Sequence, residues 1–158
     1  MIHYKIFNSF PEITHFCTTR QGGVSKGNFS SFNLSPFTGD NPNDFLQNKR
    51  ILTDLLLVDN LIVPEQTHGT GIRIIDDNFV KLSSDEKIVS LKAVDALITD
   101  LKGICIGITT ADCVPILFFD PIQRVVASVH AGWRGTVNRI AQKTVEKMQE
   151  HYGTNPCD

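Results

Sequence analysis

Four short apolar runs crowd into residues 94–130, and any fold available to this chain must pair them as strands. Residues 94–99, 103–110, 114–119 and 125–130 are rich in β-branched and aromatic side chains and are separated by turn signals. The last two are apolar at almost every position, the pattern of strands covered on both faces. Asp120-Pro121 supplies the turn between them. Two shorter β-branched pieces, 61–64 and 71–75, precede this block, and residues 13–19 alternate enough to add a strand near the start. Helical signals are fewer. Asp40-Asn41-Pro42-Asn43 is a helix start in which Asn41 or Asn43 can cap. Phe45, Leu52, Leu55 and Leu56 then recur at helical spacing, and this helix is expected to end near Val58. Residues 76–92 are polar and are expected to form a surface loop or a short helix. A final helix is expected from about 136 to 152, burying Ile140, Val145 and Met148. Strands with one early and one late helix predict an α+β fold with a mixed or antiparallel sheet. The 158 residues suit one domain with a substantial core, and 41% hydrophobic with 20% charged residues is the balance of an ordered globular chain.

Several function classes fall away on the same reading. Net charge is -2 and no basic run offers a footprint for a phosphate backbone, so nucleic acid is not the expected partner. No apolar run approaches the roughly 20 residues of a membrane helix. The N-terminal residues lack the charged region and continuous apolar stretch of a signal peptide. The cysteines, Cys17, Cys105, Cys113 and Cys157, match neither a small disulfide scaffold nor a redox pair. A reduced, cytoplasmic protein is the expectation. Oligomeric state is not legible in the sequence.

Three segments carry chemistry: Glu65-Gln66-Thr67-His68-Gly69, Thr109-Thr110-Ala111-Asp112-Cys113-Val114-Pro115 and His130-Ala131-Gly132-Trp133-Arg134-Gly135-Thr136. Each puts a nitrogen or sulfur ligand where the chain leaves regular structure, as functional residues tend to be placed. Imidazole nitrogen and thiolate sulfur both suit zinc, and three protein ligands leave a fourth position open. Spacing alone leaves alternatives: His68 as a loop histidine bonded to backbone, and Cys113 as a small buried residue or a nucleophile activated by His130. Asp112 either caps a turn or delivers a proton. The turn from Gly132 to Gly135 is expected to lead straight into the last helix, whose free N–H groups and the planar guanidinium of Arg134 would suit an anion.

The motifs together resemble a known family. Phe16-Cys17-Thr18-Thr19-Arg20-Gln21-Gly22-Gly23-Val24-Ser25 is similar to its opening F-x-T-T-R-x-G-G-V-S, and Ser31-Phe32-Asn33-Leu34 to its S-x-N-L. Gly39-Asp40 and Asn48-Lys49-Arg50 follow in order. Gln66-Thr67-His68-Gly69 resembles Q-x-H-G, and residues 94–99 resemble A-D-A-L-V-T. Thr110 to Pro115 matches T-A-D-C-x-P, and His130 to Thr136 matches H-A-G-W-R-G-T. On these motifs, from about residue 10 onward, the chain is identified as a member of the YfiH-like family, also called laccase-domain or polyphenol-oxidase-like proteins. The resemblance implies a layered α/β/β/α sandwich with mixed sheets. It implies zinc on His68, Cys113 and His130, with copper second to it: one His-Cys-His set lacks the histidine-rich sequence of a multi-copper cluster. It implies purine nucleoside phosphorylase activity on adenosine, inosine, guanosine or methylthioadenosine with inorganic phosphate, and adenosine deaminase activity beside it.

Within that frame the whole of 1–158 reads as a single laccase-type domain, short of the family's C-terminal G-P-x-I-G segment and later strands. Asp112, Arg20 and Arg134 are the candidate catalytic residues, Asp112 for the leaving base and the two arginines for substrate or phosphate, against simple ion pairing. Asn33 and Gln66 are expected to stabilise loops and Trp133 to pack. Cys17, Cys105 and Cys157 are expected to be structural, and His3, His15 and His151 have no assigned role. The competing functions are copper-dependent phenol oxidation and a non-catalytic module stabilised by zinc.

Overall fold

The structure, a computed structural model, describes residues 1–58 and 60–157. They group into two compact units that meet in sequence at Leu57 and Val58.

The first unit holds two 3-10 turns, Lys5–Ser9 and Gly27–Phe29, and one helix, α1 (Pro42–Leu56). Asn41 caps α1 by accepting from the Asn43 N–H, Pro42 occupies the first turn, and Leu57 ends the helix in the left-handed region. No strand forms over residues 13–19. Cys17 makes only an isolated antiparallel bridge to Ile2, because no longer partner lies beside it among the described residues. What organises this unit instead is a buried amide. Asn48 on α1 is fully buried. Its Oδ1 accepts from Val24 N–H at 2.8 Å, and its Nδ2 donates to Ser25 Oγ, Ser31 O and Asn33 O at 2.8–3.1 Å. Ser25 and Asn33 in turn donate to Asp40. Two motifs separate in sequence thus meet on the Asn48 side chain, and Asp40 of a third joins them through Ser25 and Asn33. A Cβ on Gly23 would collide with the Asn48 amide oxygen and the Ser31 carbonyl, so this position has room only for glycine.

The second unit carries β1 (Asn60–Ile62), β2 (Ile72–Ile74), α2 (Asp77–Lys81), α3 (Ser84–Ser90), β3 (Ala96–Thr99), β4 (Ile104–Ile106), β5 (Val114–Asp120), β6 (Val125–Ala131), α4 (Trp133–Val137) and α5 (Ile140–Tyr152). β2, β3, β6 and β5 form a four-stranded sheet in that order, parallel between β2 and β3 and antiparallel elsewhere. β1 and β4 pair in parallel as a separate two-stranded sheet. The fold is α+β with mixed sheets, as the order of elements predicts.

Strand alternation sorts the large sheet's faces. Ala96, Ile98, Val125, Ala127 and Val129 turn to one side and pack on Ile140 and Met148 of α5. Leu97 turns to the other and joins Ile75, Phe79 and Val94 beneath Ile62, Ile104 and Ile106 of the small sheet. Within this unit the layers therefore run small sheet, large sheet, helix. β3 and most of β6 are buried on both faces. β5 is not: it is an edge strand, half-exposed through most of its length, and it accommodates Pro115, which a central strand would not.

The polar stretch 76–92 forms two short helices. Asp76 caps α2 through the Phe79 N–H, and Ser83 with Glu86 makes a capping box on α3. The end of the chain departs from the sequence reading. One helix from 136 is replaced by the five-residue α4 and then α5, with Arg139 in the left-handed region between them. On α5 the buried third position is Thr144 rather than Val145. Its hydroxyl donates to the Ile140 carbonyl at 2.9 Å and so enters the core without an unpaired group.

Candidate metal centre

Three chain segments of the second unit converge at one end of the large sheet. His130 lies on β6, one residue past the last β3 pairing, and its N–H donates to the Asp95 carbonyl at 2.7 Å. It alternates to the face that carries Leu97 and is 2% exposed. Cys113 stands immediately before β5, whose Val114 and Pro115 pair with Ala131 and His130. The two motifs flanking the β5–β6 hairpin are thus brought side by side by its register. His68 arrives on the loop between β1 and β2, at φ 63°. The left-handed conformation is uncommon for a residue with a Cβ, and histidine is among the residues enriched there.

The ligand atoms of His68, Cys113 and His130 all lie within 4.8 Å of one another. The two imidazoles meet edge to face with centroids 4.8 Å apart. Among the described residues this is the one group of three or more histidine, cysteine or acidic side chains so arranged. The burial is graded, with His130 buried, Cys113 half-buried and His68 exposed, so the cluster is anchored in the sheet and open on one side.

The carboxylate of Asp95, fully buried, underlies the cluster. Its Oδ1 lies 2.7 Å from the His130 Nδ1 and accepts from the His68 N–H at 2.9 Å; its Oδ2 accepts from the Gly69 and Thr67 N–H groups at 2.8 and 3.3 Å. Burying a carboxylate is costly unless it is hydrogen-bonded, and three backbone N–H donors and the His130 ring nitrogen surround it. Gln66 performs a matching task on the cysteine side. Its Nε2 donates to the Thr109 carbonyl and its Oε1 accepts from the Thr109 N–H, both at 2.7 Å, clamping the loop that leads to Cys113. Gln66 and Asn33 are loop-holding groups, as expected.

Two glycines make room. Gly132 has φ -69° and ψ 167°, a conformation open to any residue. Yet a Cβ there would stand 2.8 Å from His68 Cδ2 and 3.2 Å from Cys113 Sγ. A Cβ on Gly135 would stand 2.9 Å from the Gly69 carbonyl, so its absence lets α4 lie against the His68 loop.

The donor set fits zinc on chemical grounds. Two imidazoles and a thiolate are borderline-soft ligands of the kind zinc takes. The His130 nitrogen engaged by Asp95 is not the one needed for a metal, which leaves Nε2 for that purpose.

The other candidates are placed as follows. Asp112 is exposed at the bend before Cys113. Arg134 is exposed on α4, its guanidinium 5.2 Å from the Trp133 ring centroid. Trp133 does not pack as expected, being 70% exposed. Since α4 is barely more than one turn and the long α5 begins eight residues after Gly132, the expected long-helix dipole beside His130 is absent. Arg20 belongs to the first unit, where its Nε and Nη2 donate to the Ser30 carbonyl at 3.0 and 2.8 Å. Cys105 on β4 is structural, its thiol pushed up to about 11 by burial. The residue that sequence reasoning passed over is Asp95. It sits in the 94–99 motif, where an acid inside an otherwise apolar strand run was the available signal.

Comparison with known proteins gives a consistent picture. Residues 14–158 match the family model described as multi-copper polyphenol oxidoreductase laccase. The chain is 41% identical to a purine nucleoside phosphorylase of Bacteroides thetaiotaomicron, over its whole length and 59% of that protein. It is 44% identical to adenosine deaminase RL5 from an unknown prokaryotic organism, over 84% of this chain and 52% of the other. The crystal structure of YfiH from Bacillus licheniformis superposes with a TM-score of 0.79 at 32% identity, covering 88% of this chain and 53% of that one. The chain thus spans about half the length of the relatives it matches.

Proposed function

The chain belongs to the multi-copper polyphenol oxidoreductase laccase family, the YfiH-like proteins, and from this premise we propose that it serves zinc-dependent phosphorolysis of purine nucleosides. The observation that carries the reading is the convergence of His68, Cys113 and His130 on one point beside an open face. The relative named as a purine nucleoside phosphorylase supports the reaction class.

His68, Cys113 and His130 would hold the metal. When bound, zinc supplies a Lewis acid with a fourth position open to an oxygen ligand. The remaining work belongs to side chains. In phosphorolysis a phosphate oxygen forms a bond to the anomeric carbon while the glycosidic bond to nitrogen breaks, and the departing base keeps that electron pair and takes up a proton. Asp112, exposed beside Cys113, is the proposed group for that proton. Arg134 on α4 is the proposed phosphate contact, its guanidinium suited to two oxygens at once. Arg20, which belongs to the first unit, is proposed separately as a substrate or phosphate contact. The preferred base, among those of adenosine, inosine, guanosine and methylthioadenosine, would be set by groups outside this cluster.

A second reading, adenosine deamination at the same centre, is favoured by the relative named as an adenosine deaminase. There a water oxygen would bond to C6 of the purine while the bond from C6 to the exocyclic amino group breaks, ammonia leaves carrying the protons, and phosphate has no part. Phenol oxidation by copper fits less well: the one three-ligand set among the described residues, carrying one thiolate, is not a multi-copper arrangement.

The test measures zinc by elemental analysis, and on the same sample base and ammonia release from inosine and adenosine with and without phosphate. Zinc near equimolar to protein and phosphate-dependent base release are the expected results. Ammonia release independent of phosphate would favour the second reading. Turnover that persists in full after chelation would overturn both, and zinc without turnover would leave only a zinc-stabilised module.

A further inference from the structure

The zinc reading names three ligands; the hydrogen bonds around them single out a fourth residue that sets up two of the three. Asp95 and His130 are neighbours across β3 and β6, one residue beyond the last pairing of Ala96 with Val129. Their backbones are already joined by the 2.7 Å bond from His130 N–H to the Asp95 carbonyl. Their side chains therefore emerge together on one face, and the 2.7 Å contact from His130 Nδ1 to Asp95 Oδ1 follows from strand register rather than from loop packing.

A carboxylate that receives N–H groups at both oxygens can only accept. Oδ1 takes the His68 N–H and Oδ2 takes those of Thr67 and Gly69. The second polar partner of Oδ1, the His130 ring nitrogen, must then carry a proton. This leaves Nε2 with its lone pair. The same carboxylate gathers three successive N–H groups of the Thr67–Gly69 turn, in which His68 holds its left-handed conformation. His68 is otherwise exposed, so little else among the described residues of this unit would keep its backbone there.

We infer that Asp95 is the positioning residue of the centre: one carboxylate fixes His130 as the Nδ1-protonated tautomer and pins the His68 turn, so that both imidazoles are arranged before any metal arrives. The inference rests on the proposed metal reading for its consequence, but its structural content stands on the free protein. Carboxylates that hold the second nitrogen of a metal-bound histidine generally tune affinity by about 10- to 100-fold.

Two measurements test it. The first needs no variant: long-range proton–nitrogen correlation spectra of the metal-free protein read the His130 tautomer directly. Protonation on Nδ1 is expected; an Nε2-protonated ring would overturn the inference. The second compares wild type with Asp95→Asn, which keeps the shape but turns one oxygen into a donor facing the amides of Thr67 and Gly69. Zinc affinity by chelator competition, taken on the folded fraction, should fall by about 10- to 100-fold, and amide exchange at His68 and Gly69 should quicken. Equal zinc affinity with only a lower melting temperature would make Asp95 a structural residue and overturn the inference, while leaving the metal reading intact. A wild-type protein that binds no zinc would sink the metal reading instead; the tautomer and the exchange rates would still decide the role of Asp95.

Discussion

Gly132→Ala is the sharpest probe of the centre, because it adds one methyl and removes nothing. Its backbone, at φ -69° and ψ 167°, suits alanine, so no conformational strain is introduced. The methyl carbon would stand 2.8 Å from His68 Cδ2, where carbons rest about 3.5–4.0 Å apart. The imidazole must therefore retreat by about 0.7 Å at least, and Cys113 Sγ at 3.2 Å closes one line of escape. Metal–ligand bonds tolerate only about 0.2 Å. Overpacking of this kind typically costs about 1–3 kcal/mol. Borne by the metal-bound state, that corresponds to about 5- to 150-fold weaker binding. The assay is chelator competition for zinc on wild type and variant, with melting of the metal-free proteins as a control. The expected result is weaker zinc binding with little change in the metal-free melting temperature. An unchanged zinc affinity would refute the reasoning, since it would mean that His68 and Cys113 do not have to stay beside Gly132 to bind.

Other consequences follow from the same geometry. His68→Asn should abolish stoichiometric zinc in elemental analysis while sparing the fold, because asparagine tolerates the left-handed region; His68→Ala should lose zinc and, in addition, about 1–2 kcal/mol of stability in denaturant titration. In timed alkylation followed by mass spectrometry, exposed Cys157 should react first and Cys105, its thiol at about 11, should stay inert near neutral pH. Cys113 should be protected by zinc and become reactive on chelation. Asp76→Ala should remove the α2 cap at a cost of about 0.5–2 kcal/mol at neutral pH. The Phe79 N–H holds the Asp76 carboxyl below its ordinary value of 3.8, so its contribution is present above that pH and is lost as pH falls through the lower folded value. The wild-type and variant melting curves should therefore converge only in strong acid, and a gap that persists unchanged there would contradict the assignment.

Much of the fold was legible because local signals and burial agreed. The strands at 94–99, 114–119 and 125–130, the Asn41 cap and the α1 helix rest on periodicity and capping, which act over a few residues. The failures lie where the local signal had no tertiary support. Residues 13–19 alternate, yet among the described residues only Cys17 of this stretch makes a β-bridge, and a lone segment gains nothing from being extended. The final helix begins late because Arg139 takes a left-handed turn that separates α4 from α5. Val145 carried the stronger apolar signal, but the rotation of α5 buries Thr144, which the Ile140 carbonyl makes affordable.

The candidate ligands were readable as residue types that suit zinc, but spacing alone left alternatives open, and it was the resemblance of the surrounding motifs to a known family that singled them out as a set. Their meeting was not, because His68, Cys113 and His130 lie on three separate segments of the sequence and only β5–β6 register and the β1–β2 loop bring their donors within 4.8 Å. Asp95 marks the boundary between the two kinds of knowledge. In the sequence it is an acid among apolar neighbours, with nothing to say what it faces. In the structure it stands across the strand from His130 and beneath the His68 turn, and a buried carboxylate must find donors wherever the fold supplies them.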